Sequence, residues 1–375
     1  MDIILYISLP IIILYSLLLL ILSIYWIKMP SFSYEKNTNF DNNTKFSILI
    51  PFRNEENNLA NIIHDLEKQH YPISLFEVIL IDDDSTDNSN IIAQELIADT
   101  KINFTLLNSK GGKKKAVQRG LIQAKGDFII SLDADVRIKS EHLQTYNHYY
   151  QQTKAKLIAG PISFITDKNI LNKLFGLEFI SLIASGAAAI GLGKPIMLNA
   201  ANMGFERSVA LEFQSEVYQS NLASGDDQFL MEAIEKNYGG KSIHFLKSNQ
   251  ATAKTKAPES LSAFINQRIR WASKTSSYSS IFSQVVALLV FLYNLLLTAS
   301  FIYSITQLCF TAFIVLFSIK FIIDLPILID ASIFFKKQKM LLLYPIIQLF
   351  YPWYIVIIAV LSLFKGYQWK GRRIN

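Results

Sequence analysis

Long apolar stretches lie at both ends of the chain, and a region of short, alternating apolar and polar runs lies between them. Ile3–Ile27, Ile281–Tyr303 and Ile305–Leu328 are each long enough to cross the hydrocarbon core of a bilayer. A further apolar segment, Leu341–Phe364, is interrupted by two prolines, and the pattern leaves open whether it spans the membrane or re-enters. The pattern therefore predicts a folded domain inserted between membrane segments.

The first apolar stretch is predicted to be an uncleaved membrane anchor. A cleaved signal peptide would begin with basic residues and end at small ones, whereas here Asp2 leads and Lys28-Met29-Pro30 follows. The polar, Asn-rich segment after it is predicted to be a linker.

Between residues 46 and 245, short apolar runs alternate with stretches of helical periodicity, which is typical of βαβ units. The predicted strands are Phe46–Phe52, Glu77–Ile81, Asn103–Leu107 and Phe128–Leu132, and the predicted helices are Asn57–Gln69, Ser89–Ala98 and Lys114–Ala124. A parallel sheet built in this way collects its ligands outside the carboxyl ends of the strands.

Asp133 and Asp135 come directly after the last of these strands and are separated by one residue. Two carboxylates this close repel each other unless they share a cation. Their oxygen atoms suit Mg²⁺ or Mn²⁺, with substrate phosphates completing the coordination shell. Asp-x-Asp is also common in solvated turns, so the two residues alone leave both interpretations open.

Polar groups also follow the other predicted strands. The acids within residues 82–87 end the second strand, where they either bind a base or ribose or cap the next helix. The loop Gly111-Gly112-Lys113 lacks the Ser or Thr that a P-loop requires. No Gly-x-Gly-x-x-Gly follows the first strand, which disfavours a dinucleotide-dependent dehydrogenase.

Two further groups lie later in the chain. Asp226 and Asp227 begin a helical stretch, where the unpaired N–H groups favour carboxylates and keep a general base ionised. Gln267 and Arg270 share one face of the predicted helix Ser260–Lys274. Trp271 beside them also fits an interfacial anchor that precedes a membrane segment.

Composition narrows the class of protein. Hydrophobic residues make up 51% of the 375 residues, and the mean hydropathy of +0.28 exceeds that of ordinary soluble enzymes. The single cysteine, Cys309, excludes an internal disulfide framework, and the five histidines show no zinc-ligand spacing. The net charge of +6 favours anionic lipid surfaces and phosphorylated substrates, and without a basic stripe nucleic acid is not expected as a partner.

Five motifs occur in order along the chain: Ile50-Pro51-Phe52-Arg53-Asn54-Glu55-Glu56, Asp82-Asp83-Asp84-Ser85-Thr86-Asp87, Asp133-Ala134-Asp135, Gly225-Asp226-Asp227-Gln228 and Gln267-Arg268-Ile269-Arg270-Trp271. Together they resemble the family 2 inverting glycosyltransferases, in the membrane-embedded branch that includes cellulose, chitin and hyaluronan synthases and related lipid glycosyltransferases. The resemblance covers roughly residues 46 to 275. It departs at Phe52-Arg53 and Gln118, and the long insert of cellulose synthases is absent from the sequence.

The resemblance implies an α/β fold of the GT-A type, a Rossmann-like nucleotide-diphospho-sugar transferase domain between N-terminal and C-terminal transmembrane helices. It implies Asp227 as the catalytic base and Mg²⁺ or Mn²⁺ as the cofactor, held by Asp135 and Asp133. The residues implied for nucleotide-sugar binding are Glu55, Asp82, Asp83, Lys113 and Asp133. Those implied for the acceptor and diphosphate side are Asn202, Asp226, Gln267, Arg270 and Trp271.

The implied activity is transfer of a sugar, with inversion, from a UDP-sugar to a lipid or to a growing cell-envelope polysaccharide. A non-processive lipid glycosyltransferase is the alternative, and a non-catalytic membrane protein that only binds a nucleotide sugar is the third possibility. We expect a multi-pass protein of the cytoplasmic (inner) membrane with its catalytic domain in the cytosol and lipids around its helices. The sequence identifies no protein partner.

The predicted domains are an anchor (1–29), a linker (30–45), a GT-A catalytic domain (46–258), an interfacial helix (259–280), two transmembrane helices (281–330), a basic cytoplasmic loop (331–340) and a third C-terminal membrane segment with a basic tail (341–375).

Overall fold

The computed structural model describes residues 2–35, 43–165, 169–218, 225–274, 279–364, 367–369 and 372–374. The chain divides into two compact units. The α/β unit comprises Pro30–Ile165 and Gly193–Lys256, and the helical unit comprises Met1–Met29, Thr166–Leu192 and Ala257–Asn375. Part of the predicted linker (36–42) and much of the predicted basic tail lie outside the described residues.

The helices are α1 (Asp2–Lys28), α2 (Leu59–Glu67), α3 (Ser89–Ala98), α4 (Lys113–Gln123), α5 (His142–Thr153), α6 (Ile170–Gly191), α7 (Arg207–Glu212), α8 (Gln214–Tyr218), α9 (Asp226–Tyr238), α10 (Leu261–Ala272), α11 (Ile281–Gln307), α12 (Thr311–Phe334) and α13 (Tyr344–Phe364). The strands are β1 (Phe46–Phe52), β2 (Phe76–Asp83), β3 (Asn103–Ser109), β4 (Phe128–Leu132), β5 (Leu157–Ala159), β6 (Ile162–Ile165), β7 (Asn202–Glu206), β8 (Ile243–Phe245), β9 (Ala253–Lys256), β10 (Tyr367–Trp369) and β11 (Arg372–Ile374). Short 3₁₀ turns cover Ile73–Leu75, Gly240–Ser242 and Gln338–Leu343.

The α/β unit is built on a seven-stranded sheet of order β3-β2-β1-β4-β7-β5-β8. The first four strands in the chain run parallel to one another, whereas β7 is antiparallel to both β4 and β5. Every residue of β1, β2 and β4 is buried, as expected for parallel strands covered on both faces. The four predicted strands are confirmed, and β1 and β4 have the predicted bounds.

The helix α6 does not belong to the α/β unit, although the predicted catalytic domain 46–258 included it. Its residues are apolar or small over most of its length, so it packs among the other apolar helices, against α1, α12 and α13. The α/β unit is therefore formed from two separate chain segments. Strands from both segments hydrogen-bond to each other, because β5 pairs with β7 and β6 pairs with β9.

In the helical unit, α1 packs against α11 and α12 around a core that includes Tyr15, Tyr293 and Leu316, and it also contacts α6. Lys320 and Asp324, one turn apart on α12, form an ion pair. Tyr15 donates to Asp324 Oδ1 at 2.8 Å, so the ion pair also links α1 to α12.

Among the described residues, five helical segments are long and apolar enough to cross a membrane, by length and composition. They are Ser8–Lys28, Ile170–Gly191, Ile281–Gln307, Thr311–Phe334 and Gln338–Phe364. Four of them correspond to the predicted membrane segments, and the fifth is α6.

Candidate active site

The loops that follow β1 and β2 turn sharply at the carboxyl edge of the sheet. Asn54, after β1, has a φ of 52°, and Asp84, after β2, has a φ of 59°. This left-handed conformation is uncommon for residues other than glycine, and Asn and Asp tolerate it best. Asn54 Oδ1 accepts the Thr86 N–H at 2.8 Å, so the two loops are joined to each other.

Arg53 fastens the acidic loop after β2 to the end of β1. Its Nη1 donates to the carbonyl oxygens of Asp83, at 2.7 Å, and of Asp84. It also lies 3.6 Å from Asp84 Oδ2. Arg53 is one of the positions at which the chain departs from the family pattern, and here it holds the acidic loop in place.

Asp82 and Asp83 have different surroundings, since neighbouring strand residues point to opposite faces. Asp82 accepts from the Ser85 N–H at 2.9 Å and from Asn90 Nδ2 at 2.7 Å, so it shapes its own loop and the start of α3. Asp83 Oδ1 accepts the Gly112 N–H at 2.9 Å, which ties β2 to the loop that leads into α4. Of the two, Asp83 is the one connected to the lysine-bearing loop.

Glu55 is buried beside the start of α2 and α3. Its Oε2 accepts from Asn58 Nδ2 at 2.6 Å, and its backbone N–H donates to Ser89 Oγ at 2.7 Å. The carboxylate therefore orders the loop after β1, next to the acids that end β2.

Lys113 lies among three of the predicted acids. It begins α4, directly after Gly112, whose φ of 95° gives the sharp turn into the helix. Its Nζ is paired with Asp133 Oδ1, and Asp226 and Asp227 also act on it electrostatically. Burial alone would lower the pKa of Lys113, but these carboxylates outweigh it and the pKa is raised. The Lys113 ammonium therefore interacts with all three carboxylates, and it is paired directly with that of Asp133.

Asp226 and Asp227 occupy the first turn of α9, after Gly225 with a φ of 110°. Asp226 is 5% exposed, whereas Asp227 is half-buried. Asp227 accepts the Gln228 N–H at 2.9 Å and the Ala200 N–H at 3.3 Å, so its carboxylate is held by two backbone donors. Of the two carboxylates, Asp227 is the more accessible one, and a general base must reach the hydroxyl that it deprotonates.

The carboxylates of Asp133 and Asp135 suit a divalent cation. Both are half-buried, and Asp135 Oδ2 is oriented by Thr255 Oγ1 at 2.9 Å. Among the described residues, no group of three or more His, Cys, Asp or Glu side chains could hold a metal ion. Two carboxylates with the remaining ligands left to phosphate and water is the usual arrangement for Mg²⁺, so the donor set fits.

Asn202, which the resemblance assigned to the acceptor side, lies in the interior of the α/β unit. Its side chain is fully buried, and its Oδ1 accepts from Tyr146 Oη at 3.0 Å. Its Nδ2 donates to the carbonyl oxygens of Pro161 and Ala251 at 2.8 and 2.9 Å. Because both ends of the amide make these hydrogen bonds, Asn202 joins β7 to two neighbouring segments of the α/β unit.

Gln267, Arg270 and Trp271 lie on α10 in the helical unit. Gln267 Oε1 accepts from the neighbouring Arg268, and the Trp271 ring lies 4.3 Å from the Arg268 guanidinium. Arg268 thus contacts two of these motif residues, Gln267 and Trp271.

Three groups that contact the acidic residues of the site are not identified by the sequence analysis. Arg53 was noted only as a departure from the family pattern, although an arginine between two acidic loops is a signal for a clamp. The Ala200 N–H and the Thr255 hydroxyl reach the acids from distant parts of the chain, and no local pattern indicates them.

Comparison with known proteins identifies the family. The family model for glycosyl transferase family 2 matches residues 47–206, and that for glycosyl transferase family group 2 matches residues 128–364. The chain is 24% identical over 238 residues to an N-acetylglucosaminyltransferase of Rhizobium leguminosarum bv. viciae, covering 61% of this chain and 55% of that protein. It is 35% identical over 107 residues to the undecaprenyl-phosphate 4-deoxy-4-formamido-L-arabinose transferase of Proteus mirabilis, covering 28% and 33%.

A solved structure has the same fold over nearly the whole length of both chains. It is a mannosyltransferase of Pyrobaculum calidifontis in complex with GDP-Man and Mn²⁺, with a TM-score of 0.58 and 14% identity over 96% of this chain and 97% of the other. The α/β unit therefore has the predicted GT-A fold. With 63% of its length inside one family model, the chain belongs to glycosyl transferase family group 2.

Proposed function

We propose that the protein is a membrane-embedded inverting glycosyltransferase that moves a sugar from a nucleoside-diphosphate sugar to a lipid-linked or growing glycan acceptor. The observation that carries this proposal is the group formed by Lys113 with Asp133, Asp226 and Asp227. This group supports the proposal because it contains a cation that suits phosphate, a carboxylate that suits a metal ion and a half-buried carboxylate that suits a hydroxyl proton.

The donor diphosphate is proposed to bind at the start of α4. Lys113 supplies a positive charge there, and the helix N-terminus adds unpaired N–H groups that favour an anion. Glu55 and Asp83, on the loops after β1 and β2, are proposed to accept hydrogen bonds from the base and ribose. Asp82 is proposed to act indirectly, by shaping the loop that carries Asp83.

A UDP-sugar is the first donor to test, and GDP-Man is the comparison donor. The sequence motifs favour uridine, whereas the structurally similar mannosyltransferase was solved with GDP-Man. A base-specific preference would show which nucleotide the loops after β1 and β2 recognise.

Asp133 and Asp135 are proposed to hold Mg²⁺ or Mn²⁺. The bound cation would neutralise the charge that develops on the departing nucleotide. The Lys113 ammonium pairs with Asp133, one of these two carboxylates. Donor binding is therefore proposed to draw Lys113 from the carboxylate to the diphosphate.

Asp227 is proposed as the base that deprotonates the acceptor hydroxyl. The oxygen would attack the anomeric carbon on the face opposite the nucleotide, so a single displacement inverts that carbon. The N–H donors of Gln228 and Ala200 fix the Asp227 carboxylate in one orientation before the acceptor arrives.

The membrane arrangement is proposed to include the spans α1, α11 and α12, with α13 either spanning or re-entrant and α6 on one side of the bilayer. The chain enters α6 from β6 and leaves it towards β7, and both strands belong to the α/β unit. A single crossing by α6 would place two hydrogen-bonded halves of that unit on opposite sides of the membrane. We therefore propose that α6 is interfacial or re-entrant, although its length and composition would permit a span.

Because α11 and α12 would each cross the membrane once, the chain returns after α12 to the side on which the α/β unit lies. Lys336, Lys337 and Lys339 follow α12, and the positive-inside rule favours the cytosol for this loop. The protein is therefore proposed to lie in the cytoplasmic membrane with its α/β unit in the cytosol. Cysteines placed at Lys28 or Lys336, in a Cys309→Ser background, should resist an impermeant thiol reagent added to intact cells. Labelling of both positions from outside would reverse the orientation.

The identity of the acceptor distinguishes two activities, a lipid glycosyltransferase and a polysaccharide synthase. The relative that acts with undecaprenyl phosphate favours a lipid acceptor, whereas the motif containing Gln267, Arg270 and Trp271 favours a polysaccharide. Purified protein in vesicles, supplied with a panel of nucleotide sugars and analysed by mass spectrometry, distinguishes them. A single added sugar on lipid indicates a lipid transferase, and a ladder of products indicates a polysaccharide synthase. If neither product forms, and the donor binds but is not hydrolysed, an enzymatic function would be contradicted.

A further inference from the structure

We propose that Arg268 and Glu178 form a buried clamp that positions the motif residues Gln267, Arg270 and Trp271 for transfer. This inference rests on the proposed function, since it assigns those residues to the acceptor side. Glu178 is a single acid inside the apolar helix α6, and Arg268 stands at a motif position to which no role was assigned. Both side chains are 4% exposed.

The clamp is a two-pronged ion pair between α10 and α6. Arg268 Nε donates to Glu178 Oε1 at 2.9 Å, and Arg268 Nη2 donates to Glu178 Oε2. Two parallel bonds between a planar guanidinium and a planar carboxylate fix direction as well as distance. The pair therefore restricts rotation of α10 about its own axis.

Aromatic rings enclose the guanidinium. The rings of Phe264 and Trp271 each lie 4.3 Å from Arg268 Cζ. Phe264 is in turn stacked on Phe175 of α6, with 4.1 Å between ring centroids and planes 7° apart. Arg268 thus connects the motif tryptophan to α6 through both charge and stacking.

A third helix joins the same cluster. Tyr354 of α13 donates its hydroxyl to Glu178 Oε1 at 3.2 Å, and its ring packs on Phe264. Gln267 Oε1 accepts from Arg268 Nη1, so the guanidinium also orients the motif glutamine. One arginine therefore sets the direction of two of the three motif side chains, on a helix held against α6 and α13.

The clamp differs from an ordinary apolar packing contact in how it affects the free energy of unfolding. A buried ion pair contributes little net stability relative to an apolar pair of similar volume, whereas removal of one partner leaves an uncompensated buried charge. The Arg268–Glu178 ion pair therefore contributes mainly to the orientation of α10. An arginine-to-lysine change preserves the charge but loses the planar fork and the stacking.

The test compares transfer with donor binding in purified protein reconstituted in lipid nanodiscs. Arg268→Lys should lower the transfer rate by about 10²-fold, which is the typical cost of a reacting group displaced by about 1 Å. Its affinity for the nucleotide should stay within about twofold, and the ratio of donor hydrolysis to transfer should rise. Arg119→Lys, the same change at an exposed position of α4, is the matched control and should leave both quantities unchanged.

Two double variants separate positioning from folding. Glu178→Met with Arg268→Met removes both charges and should fold, yet transfer should remain low because nothing orients Gln267. Glu178→Arg with Arg268→Glu should recover transfer at least tenfold relative to Glu178→Arg alone. Wild-type transfer in Arg268→Lys, or full transfer in the double methionine variant, would overturn the clamp. Absence of transfer in the wild-type protein would instead overturn the proposed function.

Discussion

The pairing of Lys113 with Asp133 predicts that one substitution changes metal affinity and nucleotide affinity in opposite directions. In Lys113→Met, Asp133 loses the ammonium that competes with a divalent cation for its carboxylate. The site also loses the positive charge that we assign to the diphosphate. Mn²⁺ alone should therefore bind more tightly, and the nucleoside diphosphate should bind more weakly.

The size of each effect follows from the exposure of the pair. The side chains of Lys113 and Asp133 are 22% and 34% exposed, so solvent screens their attraction substantially. A net value of about 1 kcal/mol is appropriate for such a pair, which corresponds to an about fivefold gain in Mn²⁺ affinity. A charge-assisted hydrogen bond to the diphosphate contributes about 1.5–3 kcal/mol, so nucleotide affinity should fall roughly 10- to 100-fold.

Isothermal titration of Mn²⁺ without nucleotide, followed by titration of UDP or GDP at saturating Mn²⁺, measures the two effects separately. Lys115→Met is the matched control, because it removes the same charge from an exposed position on the same turn of α4. It should change both affinities by less than about twofold. If Lys113→Met weakened Mn²⁺ binding, or if the control behaved identically, a specific competition at Asp133 would be refuted.

Three further predictions test other parts of the α/β unit. Asp227→Asn should lower transfer by about 10²–10⁴-fold with nucleotide affinity nearly unchanged, and Asp226→Asn should retain more activity; the reverse order in parallel rate assays would reassign the base. Asp135→Ala should abolish transfer and weaken metal-dependent nucleotide binding, so unchanged calorimetric binding would remove it from the site. Burial lowers the pKa of His142 to about 3 from 6.5, so below about pH 6.5 the unfolded chain binds the proton more readily and stability falls as the pH falls. His142→Phe should abolish that loss, which reaches about 1.4 kcal/mol per pH unit, and a parallel decline of the unfolding temperature in both proteins would contradict it.

The central sheet and the positions of most acids could be predicted because they depend on local patterns. Runs of apolar residues such as Phe128–Leu132 have the length of a buried strand, and the acids after them fall at one edge because the strands are parallel. What each acid contacts could not be predicted in the same way. Asp135 meets Thr255 across 120 positions of sequence, and no local pattern encodes that contact.

Neighbouring polar residues were the least predictable part of the site. Asp82 and Asp83 look equivalent in the sequence, yet one closes its own loop and the other binds the Gly112 N–H. The two-residue period of a strand indicates that they point in opposite directions, but only the packing on each face decides which one reaches the lysine-bearing loop. The contacts of Asn202 were unpredictable for a related reason, because its amide bonds to the carbonyl of Pro161, a residue 41 positions away.

Helix α6 shows why hydropathy alone does not assign the membrane helices. Its composition permits a span, and Glu178 within it is neutralised by Arg268, a partner 90 positions away. An apolar helix with one paired acid is therefore indistinguishable, in a hydropathy profile, from a span with a functional charge. The strand pairing supplies the missing constraint, because a sheet cannot form from two chain segments held on opposite sides of a bilayer. In the proposed arrangement, the helix that stays on one side of the membrane also supplies the Glu178 carboxylate that binds Arg268 of α10.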